Sequence, residues 1–191
     1  MLEPYIINVA SPILSAIVAA FATYIFTSRY YRRKTWDEFK QRRLNEFYGP
    51  MHDLIKQVTA NAKNTSKVVD ASERAWRELC DKHPHPFEDR DKYSEPFQKT
   101  LDYENERFRK EDIPALDKMV KIFKSKGHLA YPSTEKLFPE FLQYVDQFHR
   151  PLPYEVWKKL DPSAEHLAKL YADVEAHVDN LKRKLSGEKR V

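Results

Sequence analysis

The stretch YIINVASPILSAIVAAFATYIFT, residues 5–27, contains no Asp, Glu, Lys, Arg or His. Its length matches the roughly 20 apolar residues that a helix needs to cross a bilayer core. Elsewhere the chain is polar, and with 32% of its 191 residues charged it holds no second run of this kind. The sequence thus predicts one transmembrane helix, and its flanks predict a direction. Residues 1–4 carry one acid, Glu3, and no Lys or Arg, whereas Arg29, Arg32, Arg33 and Lys34 follow the run, with Lys40, Arg42 and Arg43 behind them. Basic residues close to a span stay on the cytoplasmic side. The expected topology is single-pass in the inner (cell) membrane, N-terminus outside and C-terminal domain cytoplasmic. Arg29, Arg32, Arg33 and Lys34 are also the candidate contacts for anionic lipid or another anionic ligand. Tyr5 at one end and Tyr24, Tyr30 and Tyr31 at the other suit the two interfaces. A cleaved signal peptide is the rival, since Ala20-Phe21-Ala22 has a small-x-small form, but the positive n-region is missing and the basic residues lie on the wrong side.

The run is not uniformly apolar around its circumference. At a helical period, Asn8, Ser11, Pro12, Ser15, Ala19 and Ala22 fall on one side with Thr23 at the edge, and Ile, Leu, Val and Phe cover the rest. Ser11, Ser15, Ala19 and Thr23 form a small-residue ridge that lets helix backbones approach in lipid. Pro12 cannot donate to the Asn8 carbonyl, which predicts a kink and a freed acceptor. In hydrocarbon that carbonyl and the Asn8 amide need partners, and sister copies of the helix can provide them. Asn8, Ser11, Pro12, Ser15, Ala19 and Thr23 are therefore the candidate pore or helix–helix interface. Simple dimerisation and a pore lining remain open alternatives, and both expect a homo-oligomer.

The remaining residues suit one domain large enough to bury a core. Net charge is only +4 with acids and bases interspersed, which argues for solvated helical faces rather than a dedicated nucleic-acid surface. The one cysteine, Cys80, excludes a disulfide framework and agrees with a reducing cytosol. Asn64-Thr65-Ser66 spells a glycosylation acceptor that would be idle on the cytosolic side. Three isolated glycines, Gly49, Gly127 and Gly187, exclude Gly-rich phosphate loops.

Taken in order, the chain reads as helices punctuated by proline, with no alternating strand pattern and no repeat. The first helix continues through Trp36, Phe39, Leu44 and Phe47 as an amphipathic stalk and is expected to stop at Gly49-Pro50. Met51, Ile55, Val58, Ala62, Thr65, Val69, Ser72, Trp76 and Leu79 alternate steps of four and three, the seam of a long helix. A third helix is expected from near Pro96, with Asp112 capping a restart at Pro114 and Gly127 at its end. Pro132-Ser133 opens the next start, with Pro139 in the first turn of the helix bearing Phe141 and Val145. A short helical turn over residues 154–160 follows. The last helix starts at Asp161-Pro162 and buries Leu167, Tyr171, Val174, Val178, Leu181 and Leu185. The expected fold is all-α, an N-terminal transmembrane helix continuing into a cytosolic helical bundle. Its expected divisions are a transmembrane anchor at 1–28, a basic juxtamembrane amphipathic helix at 29–48, the bundle at 49–186 and a basic tail at 187–191.

Catalysis is not expected. No Gly-x-Ser-x-Gly elbow, His-Glu-x-x-His helix or Cys-x-x-Cys pair is present. His52-Asp53, His166 and His177 read as surface or satisfied histidines, and Cys80 as a small hydrophobe. His83-Pro84-His85-Pro86, followed by Glu88, Asp89 and Asp91, invites a metal reading, but a spacing of two across prolines with no second cluster favours an extended polar loop. No metal or other cofactor is expected. Basic residues interleave with aromatics over residues 29–40 and 107–110. Topology and headgroup attraction account for the first cluster, and matching acids balance the second. In a ring of subunits such clusters could line a basic surface holding an anionic ligand.

Two short motifs carry a resemblance. Leu44-x-x-Phe47-Tyr48-Gly49-Pro50-Met51 after an anchor, with Lys126-Gly127-His128-Leu129 after an amphipathic helix, resembles small bacterial single-pass membrane-anchored helical proteins. In plan the chain is also similar to the membrane channel effectors of anti-phage defence systems of the Hailong type. That resemblance implies an oligomeric membrane effector controlled by a nucleotide or nucleic-acid signal from a partner enzyme. It carries over no functional residue. The competing expectation is a membrane-tethered scaffold that recruits a cytosolic protein partner.

Overall fold

The computed structural model describes residues 3–82, 90–150 and 165–187, with side chains from residue 19 and from residue 94 in the first two segments and for all but residue 166 in the third. The described residues are almost all helical and contain no strand, so the chain is all-α. Helix α1 spans Glu3–Arg42 and passes through a π-type turn, Arg43–Tyr48, into α2, Gly49–Lys82. Helix α3, Arg90–Arg107, likewise runs through a π-type turn, Phe108–Asp112, into α4, Ile113–Lys126. A 3-10 turn at Gly127–Leu129 leads to α5, Pro132–His149, and α6 spans Glu165–Ser186.

The first half of α2 packs with α4, α5 and α6 around a single core. Met51 and Ile55 of α2 meet Leu116, Met119 and Phe123 of α4, Phe141 and Val145 of α5, and Leu170, Val174, Val178 and Leu181 of α6. Periods of three and four place these side chains on one face of each helix, and burying a large aliphatic or aromatic side chain contributes about 1.5–3 kcal/mol. Phe47 and Tyr48 belong to this core and are fully buried, although they lie in the segment expected to be stalk. The second half of α2 and α3 pair beyond the core, where Trp76 meets Phe97 edge-on at 5.3 Å.

Four local expectations are corrected. Gly49-Pro50 does not end a helix: Arg42 and Gly49 both hold right-handed helical angles, and the Gly49 N–H bonds the Leu44 carbonyl five residues back. The wider turn absorbs the stop signal, because Pro50 lacks an N–H and the π register has already displaced the ladder there. Asp112 makes no capping bond, since it is itself helical and buried, and accepts from Asn61 Nδ2 at 2.7 Å. Pro96 and Pro139 lie inside α3 and α5 rather than at their starts. Ala62 is exposed, and its half-buried neighbour Asn61 faces the polar network instead.

Helix α1 carries the decisive sequence as one rod of 40 residues, about 60 Å long. Among the described residues no helix is long and apolar enough to cross a membrane. The side chains of residues 3–18, which make up most of the apolar run, lie outside those described. The His83-Pro84-His85-Pro86 segment, the residue 154–160 turn and the Asp161-Pro162 start also lie outside the described residues.

Candidate functional site

Helix α1 leaves the bundle with its described side chains almost bare. Phe21, Tyr24, Phe26, Tyr30, Tyr31 and Trp36 are 61–72% exposed. Of the candidate interface residues, Asn8, Ser11, Pro12 and Ser15 fall within the α1 backbone and their side chains lie outside the described residues. Ala19 and Thr23 are exposed. Thr23 Oγ1 donates back to the Ala19 carbonyl at 2.8 Å, so its hydroxyl is satisfied within its own helix. Arg29, Arg32, Arg33 and Lys34 are all exposed. Among the described residues none of these four forms an ion pair, which leaves a strip of uncompensated positive charge on the rod.

That strip ends at the root of α1, where the structure assembles a site that the sequence does not announce. Trp36 stacks on Phe39 with ring centroids 6.0 Å apart. The Arg43 guanidinium sits over the Phe39 ring at 4.6 Å and over the Tyr131 ring at 4.2 Å. Tyr131 in turn stacks on His177 at 4.2 Å. Trp36, Phe39, Lys40, Arg43, Tyr131 and Lys184 line a cavity of about 460 Å³. Lys40 is bound to Asp37 at 2.8 Å, whereas Arg43 Nε is buried without a hydrogen-bond partner. Phe39 and Arg43 are four apart on one helix and so face the same way. Tyr131 is presented by the extended residue that precedes α5, and His177 and Lys184 by α6.

Behind Tyr131 runs a directed chain of hydrogen bonds. The Tyr131 N–H donates to the Tyr48 hydroxyl at 2.8 Å, Tyr48 lies 2.9 Å from Thr134 Oγ1, and Thr134 donates to Asp173 Oδ2 at 2.5 Å. Burial pushes the Tyr48 phenol up to about 12. His177 is held below its ordinary range, first by burial and then by the charges of Arg43 and Lys184, with Asp173 opposing. Ser133, His177 and Asp173 have the residue types of a nucleophilic triad but not its geometry. Ser133 Oγ at 2.9 Å and Asp173 Oδ1 at 3.5 Å both approach the same nitrogen, Nε2, so no carboxylate orients the far side of the ring.

A second cavity, about 320 Å³, opens between α2 and α3 and is lined by Val69, Trp76, Phe97 and Leu101. Beneath it Glu104 and Arg107 pair at 2.5 Å, with Glu104 also accepting from Thr65 at 2.7 Å. Burial raises the Asp112 carboxyl nearby, against the Asn61 hydrogen bond and the Arg107 charge. Of the other sequence candidates, His52 lines a cleft with Lys56, Lys63 and Tyr171, Asp53 is exposed, Cys80 is half-buried, and the His166 side chain lies outside the described residues. No group of three or more metal-ligating side chains occurs among the described residues.

Sequence reasoning placed Phe39 in the stalk stripe, Arg43 among the topology-setting cations and His177 among satisfied histidines. Tyr131 gave no signal, because its contact with Arg43 across nearly ninety residues leaves no local periodicity, and Lys184 stood only among the basic residues that close the last helix. No protein-family model, curated protein or solved structure matches this chain.

Proposed function

We propose that the chain is an oligomeric membrane effector whose N-terminal rod forms an ion channel, or otherwise depolarises the cell membrane, under control of its cytosolic helical bundle. The span in this reading is residues 5–27, with the N-terminus outside. Copies associate through Asn8, Ser11, Pro12, Ser15, Ala19 and Thr23, and Arg29, Arg32, Arg33 and Lys34 meet anionic headgroups. The observation that carries the reading is the bareness of α1. A rod rich in exposed aromatic side chains, leaving its own bundle uncovered, is a marker of a lipid or protein contact. Control by a nucleotide or nucleic-acid signal, and a role in bacterial anti-phage defence, are the further parts of this proposal and rest on the resemblance in plan.

The experiment is expression with a membrane-potential dye. Wild type should depolarise cells, and replacing Asn8, Ser11 and Ser15 together with leucine should abolish the effect. Depolarisation that survives the replacement removes a pore lined by that face. A single subunit by mass in detergent removes the channel altogether.

The apolar cavity between α2 and α3, with Trp76 and Phe97 at its centre, favours a second reading: a tethered scaffold recruiting a cytosolic protein. A scaffold keeps its activity when the span is exchanged for an unrelated one, and a channel does not.

A further inference from the structure

The root cavity has an unusual inventory. Three of its six lining side chains are cationic, three are aromatic and none is a carboxylate. Its centre is Arg43, seated over two rings with Nε buried and unpartnered. A guanidinium that stacks through its faces keeps its N–H edge for oxyanions that accept two hydrogen bonds, phosphate among them. Lys184 is exposed on the cavity wall and forms no ion pair among the described residues. Trp36 is 62% exposed and offers a broad apolar surface at the same opening.

We propose that this cavity binds a small phosphorylated molecule carrying a planar ring, its phosphate held by Arg43 and Lys184 and its ring laid on Trp36. The volume of about 460 Å³ falls in the range of small-ligand sites and suits a mononucleotide-sized molecule better than a bare ion. A lipid headgroup offers the same phosphate but sits in the wrong place. Arg43 lies about 24 Å along α1 beyond Thr27, at about 1.5 Å per residue. The headgroup layer beyond the hydrocarbon is only about 6 Å deep. The site is therefore open to a soluble ligand. Its bound phosphate would tie α1 to α6 at the point where the rod enters the bundle. This deepens the proposed effector reading and rests on it for the distance from the bilayer and for what binding controls.

The test is calorimetric titration of the full chain in nonionic detergent with adenosine 5′-monophosphate, adenosine and inorganic phosphate, and separately with phosphatidylglycerol vesicles. The monophosphate should bind with one site per chain; adenosine, which loses the charge-assisted contacts, and inorganic phosphate, which loses the ring contact, should each bind at least about tenfold more weakly. Lys184→Gln, on an exposed residue outside the core, should weaken the monophosphate by about tenfold. Arg43→Gln should weaken it further. Equal affinity for adenosine, an unchanged Lys184→Gln protein, no binding of the monophosphate, or vesicle heat that Arg43→Gln and Lys184→Gln abolish would each overturn the proposal. Titration and membrane potential are separate readings, so ligand binding without depolarisation, or the reverse, tells which of the two ideas has failed.

Discussion

The Tyr48 hydroxyl lies 2.9 Å from Thr134 Oγ1, joining positions 86 residues apart at the base of the rod. Both groups are fully buried, and each hydroxyl donates once and accepts once in the chain from the Tyr131 N–H to the Asp173 carboxylate. Tyr48 therefore serves as core filler and as the polar bolt between the π-type turn, α5 and α6.

Tyr48→Phe should cost about 1–3 kcal/mol at neutral pH, because the Tyr131 N–H and the Thr134 hydroxyl lose a buried partner. The penalty should shrink at high pH. With the folded phenol raised to about 12 from its ordinary 10.0, the Tyr48 contribution to stability is fully present below pH 10 and is lost as pH climbs toward 12. The phenylalanine protein lacks that ionisation. Urea unfolding of both proteins across this alkaline range checks the point, and a gap that stays constant would contradict it.

Gly49 and Gly127 should respond oppositely to alanine, although both look like helix punctuation and both hold right-handed helical angles. A Cβ on Gly49 would stand 2.8 Å from the Leu44 carbonyl oxygen, which the π-type turn has drawn in. A Cβ on Gly127 would meet only Phe123 Cδ1 at 3.9 Å, an ordinary contact. Gly127→Ala should stabilise by about 0.4–1 kcal/mol through the unfolded chain. Gly49→Ala should destabilise by about 1–3 kcal/mol, the usual cost of forced overpacking. Thermal melts of the two single variants decide it.

Arg107→Ala should be among the most damaging single changes. It leaves Glu104, only 8% exposed, as an uncompensated carboxylate, and breaking such a pair costs about 3–5 kcal/mol. Replacing both partners together, Glu104→Gln with Arg107→Met, should recover most of the loss. A double-mutant cycle in urea measures this coupling.

His177 should make the fold sensitive to mild acid. Its folded value lies below the ordinary 6.5, so the unfolded chain takes up the proton first. Its contribution is present above pH 6.5 and is lost as pH falls through the lowered folded value. The charges facing it are Arg43 and Lys184, which oppose protonation, and Asp173, which favours it. His177→Asn should flatten the stability profile on the acid side of pH 6.5 while leaving the neutral plateau nearly level.

The helices of the bundle were legible because burial is periodic. Met51, Ile55 and Val58 in α2, and Leu167, Val174, Val178 and Leu181 in α6, sit where steps of three and four put them. Misreadings cluster where a local signal competes with the fold. Gly49-Pro50 looks like a stop, and becomes a widened turn because Phe47 and Tyr48 must be aimed into the core. Asp112 looks like a cap, and becomes a buried acceptor because Asn61 lies opposite. The root cavity was illegible for another reason. Its members come from α1, the entrance to α5 and α6, and each had an adequate explanation where it stood.

The π-type turn of residues 43–48 has a mechanical corollary. The Gly49-Pro50 pair that follows it would ordinarily make a swivel between α1 and the bundle, yet Arg42 and Gly49 on either side both keep helical angles. A continuous helical backbone couples the direction of α1 to the packing of Phe47 and Tyr48, so a rearrangement around those two rings would reorient α1.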